Sequence, residues 1–411
     1  MSGLRERLFE EIERLGSEIV PMQLQLVEAK GVGPDNGGEG ELDKAEVVEG
    51  WVRELGMELM RVDAPDERAK GGIRPNVIGI MPGGSGPGTW VLAHLDVVPP
   101  GEMELWDSDP WKVRVEGERI YGRGVQDNNA AIVSAFLALK AIKNLGIEPP
   151  GPARVVLVSD EETGSGYGLD YVLAKRPELF NAEQLIVVPD AGEPDGSLIE
   201  IAEKSILWLR VEVLGKQVHG STPHKGVNAL FAAARMMSVV REIAKEFGEP
   251  DPLFSPPTTT MEPTAKPAGV SNINTIPGRD VFHLDCRILP GIDLEHVMAT
   301  IRERFEAIAA QEGAKVKLEA VQYLQAPEPT PKNAPVVEAL KRSVQLVHGL
   351  NPRVGGVGGG TVAAFFRKRG LPAAVWCTCE HTAHMPNEYA TIPAQIADAK
   401  VFALLYTGLW Q

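Results

Sequence analysis

The 411-residue sequence predicts an α/β fold in which a smaller α+β domain interrupts a larger one. Three observations lead to this prediction. The chain is too long for one ordinary core, short β-branched runs alternate with helix-patterned stretches, and the middle of the chain departs from that alternation. Apolar residues make up 44% and charged residues 24%, as is usual for globular proteins, so two folded domains are expected.

The larger domain is predicted from apolar runs typical of buried strands and from apolar residues that repeat at helical spacing. A helical pattern opens the chain at Met1–Gly16. Strands are expected at Trp90–Ala93, Val155–Val158, Leu185–Val188 and Ala373–Cys377, and helices at Ala130–Asn144, Val336–His348 and Ala394–Leu409. This alternation predicts a sheet covered by helices, built from residues 1–203 and 326–411.

The middle of the chain, residues 204–325, shows the order strand, helix, strand, strand, helix, strand. The elements are expected at Ile206–Leu214, Asn228–Phe247, Pro256–Gly269 (a loop or strand rich in Pro and Thr), Val281–Leu289, Leu294–Gln311 and Val316–Tyr323. This order is the ferredoxin-like pattern, so an inserted ferredoxin-like domain is predicted.

Charge and cysteine usage exclude several classes of partner. With 41 basic and 56 acidic residues the net charge is −15, which disfavours nucleic acid and anionic membranes as partners. No run reaches the ~20 apolar residues of a membrane span, and the N-terminus lacks the apolar core of a signal peptide. The odd, sparse set of Cys286, Cys377 and Cys379 indicates a reducing cytoplasm, with Cys377 and Cys379 as buried thiols.

Ligand-type side chains stand where the predicted strands end, the region in which open α/β sheets bind ligands. His94, Glu162 and Asp190 follow three strands, His384 follows the fourth, and Asp127 lies just before a predicted helix. Imidazole and carboxylate ligands suit zinc, cobalt or manganese. Two ions ~3.5–4 Å apart need a bridging carboxylate, for which Asp127 is the best candidate. One such residue usually only caps a loop, but four strand ends together favour a metal site.

Two further carboxylates adjoin these candidate ligands. Asp96 lies two residues after His94, a spacing that suits a carboxylate holding the imidazole. Glu161 adjoins Glu162, so that one of the pair can bind metal while the other remains free as a general base.

At these residues the sequence resembles the zinc amidohydrolase family of acetylornithine deacetylase, succinyl-diaminopimelate desuccinylase and the glutamate-releasing carboxypeptidases, over nearly the whole chain. The motifs that carry the resemblance are His94-Leu-Asp96-Val-Val-Pro99, Gly122-Arg123-Gly124-Val-Gln-Asp127, Asp160-Glu161-Glu162-Thr163-Gly164, Asp190 and His384-Met-Pro-Asn-Glu388. The resemblance implies that Asp127 bridges two zinc ions and that Glu161 is the base. The other implied ligands are His94, Glu162, Asp190 and His384.

Three motifs of the inserted domain resemble the family as well. They are Val218-His219-Gly220-Ser221-Thr222-Pro223, Ser271-Asn272-Ile273-Asn274-Thr275-Ile276-Pro277 and Asp285-Cys286-Arg287. The resemblance implies that His219 reaches into the partner subunit's site and steadies the oxyanion, that Asn272 and Arg287 hold a substrate carboxylate, and that the inserted domain is a lid that mediates a homodimer. Taken alone, Arg287 could pair with a carboxylate in bidentate fashion or be an ordinary surface arginine.

The sequence departs from the family pattern at two places. Asn128-Asn129 follows Asp127, where many members carry an acidic or apolar residue and then Lys. The run Gly355–Gly360 and Thr361 resembles the family's Gly-Gly-Thr segment but continues with Val362-Ala363 instead of the frequent acid. We expect it to be a loop before a helix, with the N–H groups of Gly359 and Gly360 near the substrate carboxylate. No Gly-Lys-Ser/Thr follows, which disfavours a nucleotide site.

These features predict hydrolysis of the amide bond of an N-acyl amino acid, such as succinyl-diaminopimelate or acetylornithine. A dipeptidase or carboxypeptidase is the alternative within the family. A protein that binds metal or ligand without catalysis is a third possibility, disfavoured because Glu161 is not needed to bind metal. A serine hydrolase is disfavoured because the sequence has no Gly-x-Ser-x-Gly motif.

Overall fold

A computed structural model describes residues 2–267 and 269–411; Met1 and Ala268, which fall in the predicted segments 1–16 and 256–269, lie outside the described residues. Contacts divide the chain into two compact units. The first contains the chain up to Ile201 with Thr330–Val354 and Thr361–Gln411, and the second contains Ala202–Pro329 with Gly355–Gly360. Residues 355–360 thus group with the second unit, away from their neighbours in sequence.

Helices and strands alternate through most of the described residues. The α-helices are α1 Ser2–Leu15, α2 Ile19–Glu28, α3 Leu42–Glu54, α4 Asn129–Asn144, α5 Leu169–Lys175, α6 Ala229–Ala244, α7 Leu294–Glu312, α8 Pro335–His348, α9 Ala363–Lys368 and α10 Ile392–Thr407. The strands are β1 Glu58–Arg61, β2 Ala64–Pro65, β3 Ile73–Arg74, β4 Val77–Met81, β5 Thr89–His94, β6 Arg114–Glu116, β7 Arg119–Tyr121, β8 Ala153–Val158, β9 Leu185–Val188, β10 Leu198–Glu203, β11 Ser205–Leu214, β12 Val218–His219, β13 Thr260–Ala265, β14 Thr275–Ile276, β15 Arg279–Ile288, β16 Lys315–Leu324, β17 Arg353–Val357, β18 Ala373–Val375 and β19 Tyr389–Thr391.

An eight-stranded sheet with the order β1-β4-β8-β5-β9-β18-β10-β17 organises the first unit. Its centre is parallel, because β5 pairs in parallel with β8 and β9, and β18 pairs in parallel with β9. Helix α4 is buried on nearly every face. The Thr391 side chain caps the start of helix α10 by accepting from Ala394 N–H, and Gly408, whose φ is 71°, caps its end. The predicted α/β class is confirmed.

The second unit contains a four-stranded antiparallel sheet with the order β13-β15-β11-β16. Apolar side chains alternate along β11 and β15 and form one buried core with α6 and α7. The side chain of Asn228 caps α6 and that of Asp293 caps α7. The chain order and strand order are those of a ferredoxin-like fold, as the order of the predicted elements indicates.

Two local predictions were wrong. The fourth strand ends at Val375 instead of Cys377, and Thr378 N–H donates to the side chain of Asp398. Cys377 is buried as predicted, but Cys379 is only half-buried. Gly355 and Gly356 lie in strand β17 and not in a loop. Gly356 N–H donates to Leu253 O at 2.7 Å, and a side chain at Gly356 would meet the Phe254 ring.

No helix among the described residues is both long enough and apolar enough to cross a membrane.

Candidate metal centre

Five segments of the first unit carry ligand-type side chains to the carboxyl ends of its parallel strands. His94 is the last residue of β5, and Asp190 lies just beyond β9. A 3₁₀ turn at Glu161–Thr163 follows β8. Asp127 lies just before α4, and His384 lies in the loop between β18 and β19. Because parallel strands end at one edge of a sheet, these segments meet there.

The carboxylate of Asp127 stands between the two histidines. Its Oδ1 lies 2.9 Å from His94 Nε2, and its Oδ2 lies 3.2 Å from His384 Nε2. His94 Nε2 also lies 3.4 Å from Asp190 Oδ1, and His384 Nε2 lies 3.1 Å from Glu162 Oε1. Each oxygen of Asp127 therefore belongs to a different cluster of nitrogen and oxygen donors.

Among the described residues the donor atoms form three overlapping groups, each with one imidazole and two carboxylates, and two of these groups share Asp127. In the groups His94, Asp127, Asp190 and Asp127, Glu162, His384, one ligand atom per residue lies within 4.8 Å of the others. This donor set suits Zn²⁺, Co²⁺ or Mn²⁺. Crowded carboxylates at a largely buried sheet edge also need positive charge to offset their lost hydration. The residues present therefore fit a pair of divalent ions that share Asp127.

In the protein without metal, the histidines carry much of that positive charge. Burial opposes the charged imidazole of His94, but hydrogen bonds to Asp127 and Asp190 raise its pKa well above the usual value. Hydrogen bonds to Asp127 and Glu162 raise the pKa of His384 to about 10. The two histidines in turn hold the pKa of Asp127 well below its usual value, although burial raises it.

The pKa values of the adjacent Glu161 and Glu162 are raised, in contrast to that of Asp127. Burial raises the pKa of Glu162 to about 7. Burial and the charge of Asp190 raise the pKa of Glu161 well above its usual value. Glu161 also lies within 4.8 Å of donor atoms of His94 and Glu162. A carboxylate in this position can hold a proton beside the metal donors, which is what a general base must do.

Asp96 connects the His94 strand to the glutamate turn. Its carbonyl oxygen lies 2.9 Å from His94 Nδ1, whereas its carboxylate lies 3.5 Å away. Its Oδ1 and Oδ2 accept the N–H groups of Glu161 and Glu162, each at 3.0 Å. The closer contact to the imidazole thus comes from the backbone, and the carboxylate fixes the turn. Donation from Nδ1–H to that carbonyl leaves Nε2 free to bind metal.

His219 and Asn272 lie in paired segments of the second unit. Strand β12 pairs with β14, so that His219 stands opposite Thr275. His219 is exposed, and its Nδ1 accepts the Ser221 backbone N–H at 3.2 Å. Nδ1 also lies 2.8 Å from Ser221 Oγ. Because a backbone N–H can only donate, Nδ1 is the acceptor in the backbone contact, and Nε2 is the ring nitrogen left to donate. Asn272 is exposed, and its backbone carbonyl oxygen accepts from the backbone N–H of Thr275.

Arg287 is already bonded within the second unit. Its Nε and one terminal nitrogen donate to the carboxylate of Asp285 at 2.6 and 3.0 Å, and the other terminal nitrogen donates to Gly358 O at 2.9 Å. Three of the five guanidinium N–H donors are therefore used. Gly359 and Gly360 are exposed and follow Gly358, whose carbonyl accepts from Arg287.

Three residues of the site had no role assigned from sequence. Asn128 Nδ2 donates to Pro189 O at 2.8 Å and to Asp190 Oδ1 at 3.2 Å, and so orients the Asp190 carboxylate. Arg123 and Glu388 form a buried ion pair of 2.6 Å beneath the Asp127 loop. Arg123 and Glu388 were signalled in the sequence only as members of the quoted motifs, and Asn128 only as a departure from the family pattern.

Comparison with known proteins decides the family. Residues 90–407, more than half of the chain, match the family model described as Peptidase family M20/M25/M40. The chain belongs to this family. It is a metal-dependent hydrolase whose relatives act on amide bonds.

Relatives in the family match between about three quarters and nearly all of the chain. An uncharacterised metallohydrolase of Methanococcus maripaludis is 36% identical over 407 residues, which cover 94% of this chain and 97% of that protein. A succinyl-diaminopimelate desuccinylase of Nitratiruptor sp. is 27% identical over 307 residues, which cover 74% and 80%. The crystal structure of a tripeptidase from Staphylococcus aureus shares the fold, with a TM-score of 0.75, 19% identity and coverage of 96% and 98%.

Proposed function

We propose that this M20 hydrolase binds two zinc ions per chain and cleaves the amide bond of an N-acyl amino acid. One observation carries the proposal, namely that the two oxygens of Asp127 face different histidines within two donor groups. His94 and Asp190 complete one site, and Glu162 and His384 complete the other. Co²⁺ or Mn²⁺ are expected to substitute for zinc, because the same ligand types suit them.

The protein's residues supply the proton movements. When bound, a divalent pair polarises the amide carbonyl and makes water a stronger acid. Glu161 accepts a proton from the attacking water at its carboxylate and gives it to the nitrogen of the leaving amine. The Asp96 carboxylate keeps Glu161 in place by accepting the backbone N–H of Glu161. The His219 side chain of a second copy of the chain reaches the site, and its Nε2–H donates a hydrogen bond that stabilises the developing oxyanion.

The substrate's carboxylate is assigned to the second unit. Arg287 has two guanidinium N–H donors beyond those that hold Asp285 and Gly358, enough for a bidentate carboxylate contact. Asn272 and the N–H groups of Gly359 and Gly360 would donate further hydrogen bonds to the substrate carboxylate. The desuccinylase of Nitratiruptor sp. supports an N-acyl amino acid as the substrate.

A peptidase is the second candidate, because the Staphylococcus aureus structure is a tripeptidase and shares the fold. For either activity we propose a homodimer formed through the second unit, with His219 completing the partner's site. A cytoplasmic location stays a prediction from the cysteine content.

Hydrolysis assays of the zinc-loaded protein test the proposal. N-succinyl and N-acetyl amino acids, dipeptides and tripeptides are compared, each as a free carboxylate and as its C-terminal amide. Glu161→Gln protein, purified in parallel, controls for contaminating hydrolases. We expect release of the free amino acid from N-acyl substrates with a free carboxylate. Preference for peptides supports the second candidate. If neither the zinc-loaded nor the Co²⁺-loaded protein hydrolyses any of these substrates, both candidate functions are contradicted.

A further inference from the structure

The carboxylate of Glu388 is fully buried and receives four donors. Its Oε2 accepts from the Arg123 guanidinium at 2.6 Å and from Gly124 N–H at 2.9 Å. Its Oε1 accepts from Gln126 N–H at 2.9 Å and from Asp127 N–H at 3.0 Å. Each oxygen therefore has two donors, which fills the usual capacity of a carboxylate.

Three of these donors are backbone groups of one loop, residues 122–127, which ends at the proposed bridging ligand Asp127. The loop turns through glycines with positive φ, 158° at Gly122 and 85° at Gly124. Gly124 has no room for a side chain, since a Cβ there would lie 2.6 Å from a Val97 methyl. The glycines add conformational freedom to this loop, and the backbone bonds to the Glu388 carboxylate hold its shape together with the ion pair of Arg123.

The same ion pair connects the loop to the other end of the site. Gly122 N–H donates to the Glu388 carbonyl at 3.1 Å, and Arg123 donates to the His384 carbonyl at 3.3 Å. Asp127 and His384 are members of one donor group. Glu388 and Arg123 thus connect the two segments that carry these ligands.

We propose that Glu388 is a positioning residue that fixes the Asp127 carboxylate between the two ions, so that affinity for the metal pair depends on it. The inference rests on the proposed two-metal site. Glutamine at this position keeps one acceptor oxygen but turns an N–H₂ group toward two existing donors, whichever way the amide lies. Loss of a residue that orients a metal ligand typically costs about 10–100-fold in metal affinity.

The test compares wild type with Glu388→Gln and Glu388→Asp. Glu200→Gln is the matched control, because Glu200 is an equally buried carboxylate paired with Arg367 in the same unit. Metal-stripped proteins are titrated with zinc in chelator buffers, and bound metal is counted by elemental analysis. Cobalt absorption spectra report the ligand geometry independently of activity. Circular dichroism and thermal unfolding establish that each variant is folded.

We expect Glu388→Gln to bind metal about 10–100-fold more weakly than wild type, with an altered cobalt spectrum. Glu388→Asp should recover part of the affinity, because it keeps both oxygens, and Glu200→Gln should match wild type. If Glu388→Gln does not fold, Glu388→Asp carries the comparison and should bind more weakly than Glu200→Gln.

Wild-type affinity and an unchanged cobalt spectrum in either folded Glu388 variant would overturn the inference. Equal losses in Glu388→Gln and Glu200→Gln would also overturn it, since any buried ion pair would then have the same effect. Wild-type protein that binds fewer than two ions contradicts the proposed metal pair instead, so the two failures are distinguishable.

Discussion

Replacing Asp96 by alanine should loosen the turn that carries the proposed base. The change removes the acceptors of the Glu161 and Glu162 N–H groups, which are bonded at 3.0 Å each. A hydrogen bond to a charged group contributes about 1.5–3 kcal/mol. At about 1.4 kcal/mol per factor of ten, each amide should then exchange with solvent about 10–150-fold faster.

Hydrogen exchange followed by mass spectrometry measures this on peptides that span the turn, using metal-stripped protein. Asp96→Asn keeps one acceptor oxygen and should release only one of the two amides. The surface control Asp63→Ala, which loses an ion pair with Arg61, should leave the turn unchanged. Unchanged exchange in Asp96→Ala would refute the role assigned to this carboxylate.

Glu161→Gln should retain metal but lose about 10²–10⁴-fold in kcat, because it removes the proton carrier; a parental kcat would reassign the base. Metal affinity should rise with pH, since the His384 imidazolium, with a pKa of about 10, must lose its proton to bind an ion. In chelator-buffered titrations the apparent Kd for metal should fall at least about tenfold per pH unit from pH 7 to 9. Below pH 7 it should change more steeply, because Glu162 also holds a proton there. A Kd that does not change with pH would contradict this prediction. Arg287→Ala should raise KM about 10-fold or more for substrates with a free carboxylate and leave it unchanged for their amides; equal effects would make Arg287 purely structural. Co-expression of His219→Ala with Glu161→Gln chains should recover part of the activity that each lacks, because one site of the mixed dimer is complete; inactive mixed dimers exclude a shared site.

Strand-end chemistry was predictable from sequence because it depends on two local signals. A buried parallel strand leaves a continuous apolar run, and the polar residue after it marks the edge where ligands bind. His94 and Asp190 follow such runs, and the structure brings them together with Asp127. The ferredoxin-like order of the second unit was equally accessible, because its strands alternate and its helices are long.

Bonds to backbone groups left no such signal. Glu388 and Asp96 accept several backbone N–H groups, which every residue except proline carries, so these contacts cannot be read from the sequence. The strand at Gly355 and Gly356 was missed for a related reason. Glycine runs predict loops locally, whereas here the space beside Gly356 is taken by Phe254 from a distant segment.

Stepwise reconstitution tests the two-metal account most directly. Metal-stripped protein receives zinc in fractions of an equivalent, and bound metal and hydrolysis of an N-acyl amino acid are measured at each step. We predict that binding saturates at two ions per chain, that hydrolysis reaches its maximum only with the second ion, and that Glu161→Gln binds both ions without hydrolysis. Full hydrolysis by the stripped protein in excess chelator would contradict the account.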